Sequence, residues 1–470
     1  EGMSPGDHAV LLAAAIEARA PASADENAAL IAEHLEAAGE LHAAYGWHMR
    51  AATWATYRDI AAARLSWERA LTIADALPAE DPGRTAMRIA PRTMLVGTAY
   101  RVRVRVAGAR FDELRQLCTA AGDKASLAIA MASLVNDHVW QAETRQASSL
   151  ASEAMALIES IGDPTLVVGL TWALVYAKVE RGEWTDVLRW SQRVIDLADG
   201  DPEKGNFVVG SPLALASATR GMARYCLGHS GWRNDLRHGL SMARNTDPIS
   251  YSGVFVWSCG MGIFFGVVRP DDQVMGENED VWRIAERSGD DLAVTFAQMA
   301  LAVALVHRRT DADRDRGQKL LVQVSEVARR RAHNLADLPL MEVYSAREDA
   351  RHGDRDDALA IMRTAIDHLI RGGQLLSWGM PATGALVETL LDGGADGDVA
   401  EAHAAIERLA AAPADEGLVI RDIWILRMRA LLARANCDED AYRDYRDRYR
   451  RMANDLGFEG HMQWAAAMQS

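Results

Sequence analysis

Lysine is almost missing from the 470 residues: Lys124, Lys178, Lys204 and Lys319 are the whole set, so nearly all of the 51 basic residues are arginine. None of the four follows glycine and precedes Ser or Thr, which removes the G-x-x-x-x-G-K-[ST] loop that cradles nucleotide phosphates. Cysteine is scarce as well. Cys118, Cys226, Cys259 and Cys437 lie far apart without a C-x-x-C pair, which excludes a disulfide framework or a zinc ribbon and fits reduced thiols in a cytoplasmic protein. There is no basic excess: 51 Lys+Arg against 66 Asp+Glu leave a net charge of −15, which opposes a phosphate backbone and makes nucleic acid a poor partner. Residues 1–6 lack a basic stretch followed by an apolar one, so no secretory leader is expected. Met3 is not the first residue, so the chain is expected to be a piece of something longer.

Alternating β-branched runs are nearly absent, whereas apolar residues recur at helical spacing between Gly, Asp-Pro and Asn-rich breaks, which predicts an all-α chain. In residues 100–106, Arg101, Arg103 and Arg105 alternate with valines; a helix end with Arg stems laid on apolar surface is expected there in preference to a strand. The uncharged stretch 248–268 meets the length of a membrane span, but Gly253, Gly260, Gly262 and Gly266 dilute it. It reads as a helix buried on all sides, and no membrane is expected as a partner.

Stacked at 34 residues, the sequence repeats. In residues 44–77, Trp47, Ala51 and Trp54 occupy the bulky, small and bulky places of a first helix, and Ala63, Trp67 and Ala70 those of a second. Small residues let antiparallel helices approach, and indoles fill the gaps between hairpins. The frame recurs with Ala147, Ala151 and Ala154 in 128–161, Val187, Ser191 and Val194 in 168–201, and Ala358, Met362 and Ala365 in 339–372. Gly182 and Gly353 share one turn place in the latter two. Weaker hairpins follow in 214–243, 292–328 and 384–409, with Val399, Ala402, Ile406 and Leu409 forming a stripe in the last. Breaks at 200–210 and 310–317 read as loops between hairpins. The expected architecture is a right-handed superhelix of tetratricopeptide-like antiparallel hairpins, an α-solenoid, over residues 44–436. Entry helices precede it in 1–43, and capping helices carrying Tyr442, Tyr445, Tyr449 and Met452 follow in 437–470.

Two ends carry a resemblance. Leu30-Ile31-Ala32-Glu33-His34-Leu35-Glu36-Ala37-Ala38-Gly39-Glu40, with Ala51-Ala52 and the alanines of 61–70, is similar to the junction after the ATPase module of bacterial nucleotidyl cyclase–STAND ATPase signalling proteins. Leu456-Gly457-Phe458-Glu459-Gly460-His461 and Trp464-Ala465 resemble the C-terminal closure of actinobacterial members. The resemblance implies the C-terminal tetratricopeptide-like region of such a protein, a regulatory sensor or scaffold. Its upstream ATPase and adenylate/guanylate cyclase domains would be partners in cis; neither is in this sequence. A free-standing interaction scaffold, or the arm of an ATPase-type transcriptional regulator, remains open beside it.

No catalytic constellation emerges, so the chain is expected not to be an enzyme, and no metal or cofactor is expected in it. Gly260, Gly262 and Gly266 lack the spacing and the βαβ unit of a dinucleotide fingerprint, Gly228-His229-Ser230-Gly231 lacks the nucleophile elbow, and no H-E-x-x-H is present. His34 beside Glu33 and Glu36 reads as a helix-surface histidine, and Asp271-Asp272, Asp290-Asp291 and Asp356-Asp357 as helix-start acids. Binding suits the scaffold better. Projection of the repeat frame places Asn136, Trp140, Trp172, Tyr176, Arg347 and Arg351 on a concave groove, where they would meet a protein or peptide partner or a small effector. The competing reading makes the aromatics inter-repeat packing and the arginines a solvated face.

Overall fold

The computed structural model describes residues 24–106, 108–207, 209–395 and 397–468, together with 10, 11, 14–16 and 18; residues 1–6 fall outside this set. Among the described residues every regular element is helical and there is no strand. The chain forms two compact units, residues 1–137 with 156–162 and residues 138–155 with 163–470.

In the first unit, helices Ala28–Ala37 (α1), Leu41–Ala55 (α2), Ile60–Ala76 (α3), Arg84–Gly97 (α4) and Ala109–Ala121 (α5) each pack on the next. Asp59 starts α3 by accepting the Ala62 N–H at 3.0 Å, which satisfies one of its orphan amides. Ala51, Ala63 and Ala70 are buried in the α2–α3 hairpin with Trp67. Trp47 and Trp54 are only half-buried, under the guanidinium groups of Arg50 at 4.6 Å and Arg58 at 4.8 Å. The alternating arginine stretch is neither strand nor α-helix: a 3-10 turn spans Ala99–Val102, Arg103 takes φ 55°, and Arg105 reaches the Asp137 carboxylate at 3.1 Å.

Helices Lys124–Trp140 (α6) and Thr144–Ile161 (α7) contribute residues to both units. In the second unit the hairpins are Pro164–Arg181 (α8) with Trp184–Ala198 (α9), Pro212–Cys226 (α10) with Trp232–Ala243 (α11), and Pro248–Phe255 (α12), continued as Met261–Phe264 (α13), with Asp272–Ser288 (α14). Asp291–Val306 (α15) pairs with Asp311–Arg331 (α16), Leu338–Arg351 (α17) with Arg355–Gly372 (α18), and Gly379–Gly393 (α19) with Asp398–Ala410 (α20). Val419–Ala435 (α21) with Glu439–Leu456 (α22) comes last, closed by Glu459–Ala467 (α23). The stretch 310–317 is therefore not a loop: Thr310 caps α16 by accepting the Asp313 N–H at 3.1 Å, and the acids Asp311 and Asp313 suit the positive end of the helix. The uncharged stretch is a buried helix with a π-turn over Val256–Gly260, and no helix among the described residues is long and apolar enough to cross a membrane. The sequence-derived small places Ala147, Ala151, Ala154, Val187, Ser191, Ala358, Met362 and Ala365 are all buried.

First helices and second helices differ in kind. α8, α10 and α15 are buried nearly all round, whereas α9, α11, α16 and α22 bury one stripe and give the rest to water. The reason is the winding of this unit. Arg181 meets the carbonyls of Gly372 and Gly373, Trp184 Nε1 donates to Leu376 O at 3.2 Å, and Ser377 Oγ donates to Glu180 O at 2.6 Å. His461 meets the Phe265 carbonyl at 2.9 Å. These contacts span 191 to 197 residues, so one turn of hairpins lies directly on the next. Gly182 makes this possible: its φ is +70°, and a Cβ there would lie 2.6 Å from the Leu376 carbonyl oxygen.

Candidate functional site: an arginine-lined chamber

Among the inner helices lies a chamber of about 180 Å³ between α15, α17, α19, α21 and α23, lined by His307, Tyr344, Arg347, Arg351, Glu388, Trp424, Arg427 and Trp464, with Arg308 and Arg314 at its edge. A second lobe of about 190 Å³ shares Arg347, Arg351 and Glu388 and adds Arg355 and Asp392.

Each wall has a local cause. Gly384 lets the indole of Trp424 lie against α19, since a Cβ would come within 2.2 Å of the ring. Trp464 packs at 5.5 Å from Trp424, and the Arg427 guanidinium sits over both rings, 4.7 Å from Trp464 and 5.6 Å from Trp424. Tyr344 carries Arg347 on its face at 4.5 Å. Glu348, 1% exposed, anchors three cations: it accepts from Arg347 at 3.1 Å and Arg351 at 2.7 Å, with Arg314 at 3.4 Å. Arg347 also donates to the Val306 carbonyl at 2.7 Å.

Arg427 is the least satisfied member. It is 9% exposed and paired through Nη2 with Glu388, while its Nε and Nη1 have no hydrogen-bond partner. Burial opposes its charge, but Glu388 and the hydroxyls of Tyr449 and Tyr344 more than offset this, so the guanidinium stays cationic. Arg314, Arg347, Arg351 and Arg427 face the carboxylates of Glu348 and Glu388, with Asp311 also paired to Arg314 and Asp392 in the adjoining lobe. His307 supplies the opposite polarity. Its Nδ1–H donates to Val303 O at 2.8 Å, which leaves Nε2 as a buried acceptor without a partner. Burial and the Arg347 charge push its pKa down to about 3, so the ring is neutral.

The six groove residues fall in different places. Arg347 and Arg351 line the chamber. Trp140 and Tyr176 lie together at the seam between turns: Trp140 stacks edge-on against His333 at 3.6 Å, and Tyr176 Oη donates to Asn334 Oδ1 at 3.0 Å. Trp172 is half-buried on α8. Asn136 belongs to the first unit, where it is buried. Sequence reasoning missed Arg427, His307, Trp424 and Trp464. One signal was available: the helix 419–435 spreads its apolar residues around the whole circumference while carrying Arg421, Arg427, Arg429 and Arg434, so not all four arginines can share one solvated face.

The same seam holds a second polar cluster. Glu180 Oε2 accepts from Gln374 Nε2 at 2.6 Å and Trp378 Nε1 at 2.8 Å, and its carboxyl meets that of Asp337. Burial raises both carboxyl pKa values, that of Asp337 to about 6, so the pair keeps a proton. This cluster joins one turn of hairpins to the next. Among the described residues no group of three or more His, Cys, Asp or Glu is placed to hold a metal ion.

The fold and the chamber define an all-helical repeat scaffold. No family model and no curated protein matches the sequence. Among solved structures it is similar to a Rap protein complexed with Competence and Sporulation Factor, with 9% identity over 90% of this chain and 99% of that one and a TM-score of 0.37. A circular tandem repeat protein with novel repeat topology and enhanced subunit contact surfaces shows 14% identity over 98% and 93%, with a TM-score of 0.14.

Proposed function

We propose that the chain is the ligand-sensing arm of a signalling protein, binding an effector in the arginine-lined chamber and thereby controlling an attached ATPase and adenylate/guanylate cyclase. The binding half is carried by one observation: a cavity among the inner helices walled by Arg347, Arg351 and Arg427 beside Tyr344, Trp424 and Trp464. The partners in cis are supported by the likeness of residues 30–40 and 456–465 to the repeat regions of cyclase–ATPase proteins.

Transmission follows from the winding. The chamber walls come from α15, α17, α19, α21 and α23, so a ligand that draws these helices together also shifts the seam at Glu180, Gln374 and Trp378. The test is nucleotide turnover by the natural protein that contains this chain, with and without residues 44–436. A change of about fivefold or more is expected, the usual scale of allosteric coupling. Unchanged turnover, or a reading frame that encodes no nucleotide module upstream, overturns the proposal.

A further inference from the structure

We infer that the seam between successive turns is a proton-held latch. One hydrogen shared by the carboxyls of Glu180 and Asp337 keeps the connections 332–337 and 373–378 closed on α8, and its release lets them open while the helices stay folded. The device shares no residue with the lining of the chamber and does not depend on what the chamber binds.

Geometry carries it. Glu180 is fully buried and Asp337 is 6% exposed, and the side chains that hydrogen-bond them are Trp378, Gln374, Asn334 and Tyr176, all uncharged. The surrounding cations are engaged elsewhere. On α8, Lys178 pairs with Glu183 at 2.6 Å and Arg181 meets the carbonyls of Gly372 and Gly373. At the end of α16, Arg329 pairs with Glu342 and Arg331 with Asp291, and His333 stacks on Trp140. Arg371, at the end of α18, donates to the Asp367 carbonyl. Each acid keeps one buried oxygen without a donor, Glu180 Oε1 and Asp337 Oδ1. The carboxyls lie side by side, so a hydrogen carried by one is donated to the other.

Gln374 spans the latch: its Nε2 donates to Glu180 Oε2 at 2.6 Å and to the Ala336 carbonyl, next to Asp337, at 3.2 Å. Trp140, Tyr176 and Asn334 form a relay of hydrogen bonds that ends on Asp337. Without the hydrogen, two buried carboxylates meet with no counter-charge. Glu180 stands in the last turn of α8, whereas Asp337 and Gln374 stand in connections, so separating the acids moves the connections. Burial raises both carboxyl pKa values, that of Asp337 to about 6 and that of Glu180 well above its ordinary range. The closed seam therefore keeps a hydrogen that open, solvated carboxyls release above about pH 4, and the latch weakens as pH rises.

Amide hydrogen exchange of the chain between about pH 6 and pH 8 tests this. Opening that releases one proton makes exchange in 332–337 and 373–378 rise by about tenfold per pH unit beyond the ordinary base-catalysed increase, whereas 184–198 in α9 follow the ordinary increase alone. Glu180→Gln and Asp337→Asn each supply a permanent donor and are expected to remove the excess. Should neither variant fold, the slope of the unaltered chain still decides. No excess in the two connections, the same excess throughout α9, or an excess that persists in both folded variants overturns the inference. These results are distinct from failure of the functional proposal, which is read from nucleotide turnover.

Discussion

Trp378 donates its indole N–H to Glu180 Oε2 at 2.8 Å, although 198 residues separate the two. Gln374 donates to the same oxygen, Ser377 donates to the Glu180 carbonyl, and the Asp337 carboxyl lies beside that of Glu180. One buried acid therefore gathers groups from the α16–α17 and α18–α19 connections onto α8.

The acid pair makes stability depend on pH with a definite sign. The folded pKa values of Glu180 and Asp337 lie above their unfolded values, so their contribution is fully present below about pH 4 and is lost as pH rises, through about 6 for Asp337 and further up for Glu180, whose carboxyl is held well above its ordinary range. Glu180→Gln keeps an acceptor for Trp378 and Gln374 and offers Asp337 a donor. The variant is expected to be more stable than the parent by about 1–3 kcal/mol at pH 8, with the gain shrinking toward pH 5, in urea denaturation at several pH values. An unchanged difference across pH would contradict the shared proton.

Close approach at Gly182 is separable from backbone strain. Gly182→Ala puts a Cβ 2.6 Å from the Leu376 oxygen at φ +70°, whereas Gly289→Ala has φ +68° and nothing within 4 Å. Gly289→Ala is expected to cost about 1 kcal/mol and Gly182→Ala about 2 kcal/mol more, with faster amide exchange over residues 372–378 in the latter. Equal costs would mean that the turns do not touch there.

Much of this fold is legible in the sequence, because a hairpin's requirements are local. Ala147, Ala151 and Ala154 repeat at helical spacing, and Gly182 and Gly353 mark turns, since these features decide how one helix meets the next. The winding is not local. Whether α8 meets residue 374 depends on small rotations summed over several hairpins, and no periodicity of the sequence reports that sum. For this reason Trp140 and Tyr176, projected onto a groove, lie at a seam, and only Arg347 and Arg351 of the six line the chamber. The run at 310–317 was misleading for another reason: charged residues after Thr310 look like a loop, yet they form the solvated first turns of a capped helix.

Glu348 holds three guanidinium groups in a buried site. Glu348→Gln removes the compensating charge and is expected to destabilise the chain by about 3 kcal/mol. Thermal denaturation of the variant beside the parent checks this, and an unchanged midpoint would contradict the anchoring role of Glu348.

The C-terminal closure turns on His461. Its Nε2–H donates to Phe265 O at 2.9 Å, and its Nδ1 accepts from Tyr449 Oη at 2.9 Å. Burial, with the Arg427 charge, drives its pKa well below the ordinary value. The folded pKa is depressed, so this contribution is present above about pH 6.5 and is lost as pH falls below it. His461→Phe is expected to cost about 2 kcal/mol at pH 8 and to lose less than the parent on acidification to pH 5, measured by chemical denaturation.

The contact between successive turns is tested most directly by disulfide trapping. The Thr185 amide donates to Asp415 Oδ2 at 2.8 Å, and Cys437 is the exposed native thiol among the four. In a chain carrying Thr185→Cys, Asp415→Cys and Cys437→Ser, mild oxidation is expected to give a rapid intramolecular crosslink, seen as a faster-migrating species that reduction reverses. Persistence of two free thiols under the same oxidation, with the helical content intact, would show that the turns stand apart and that the chamber they enclose does not exist as described.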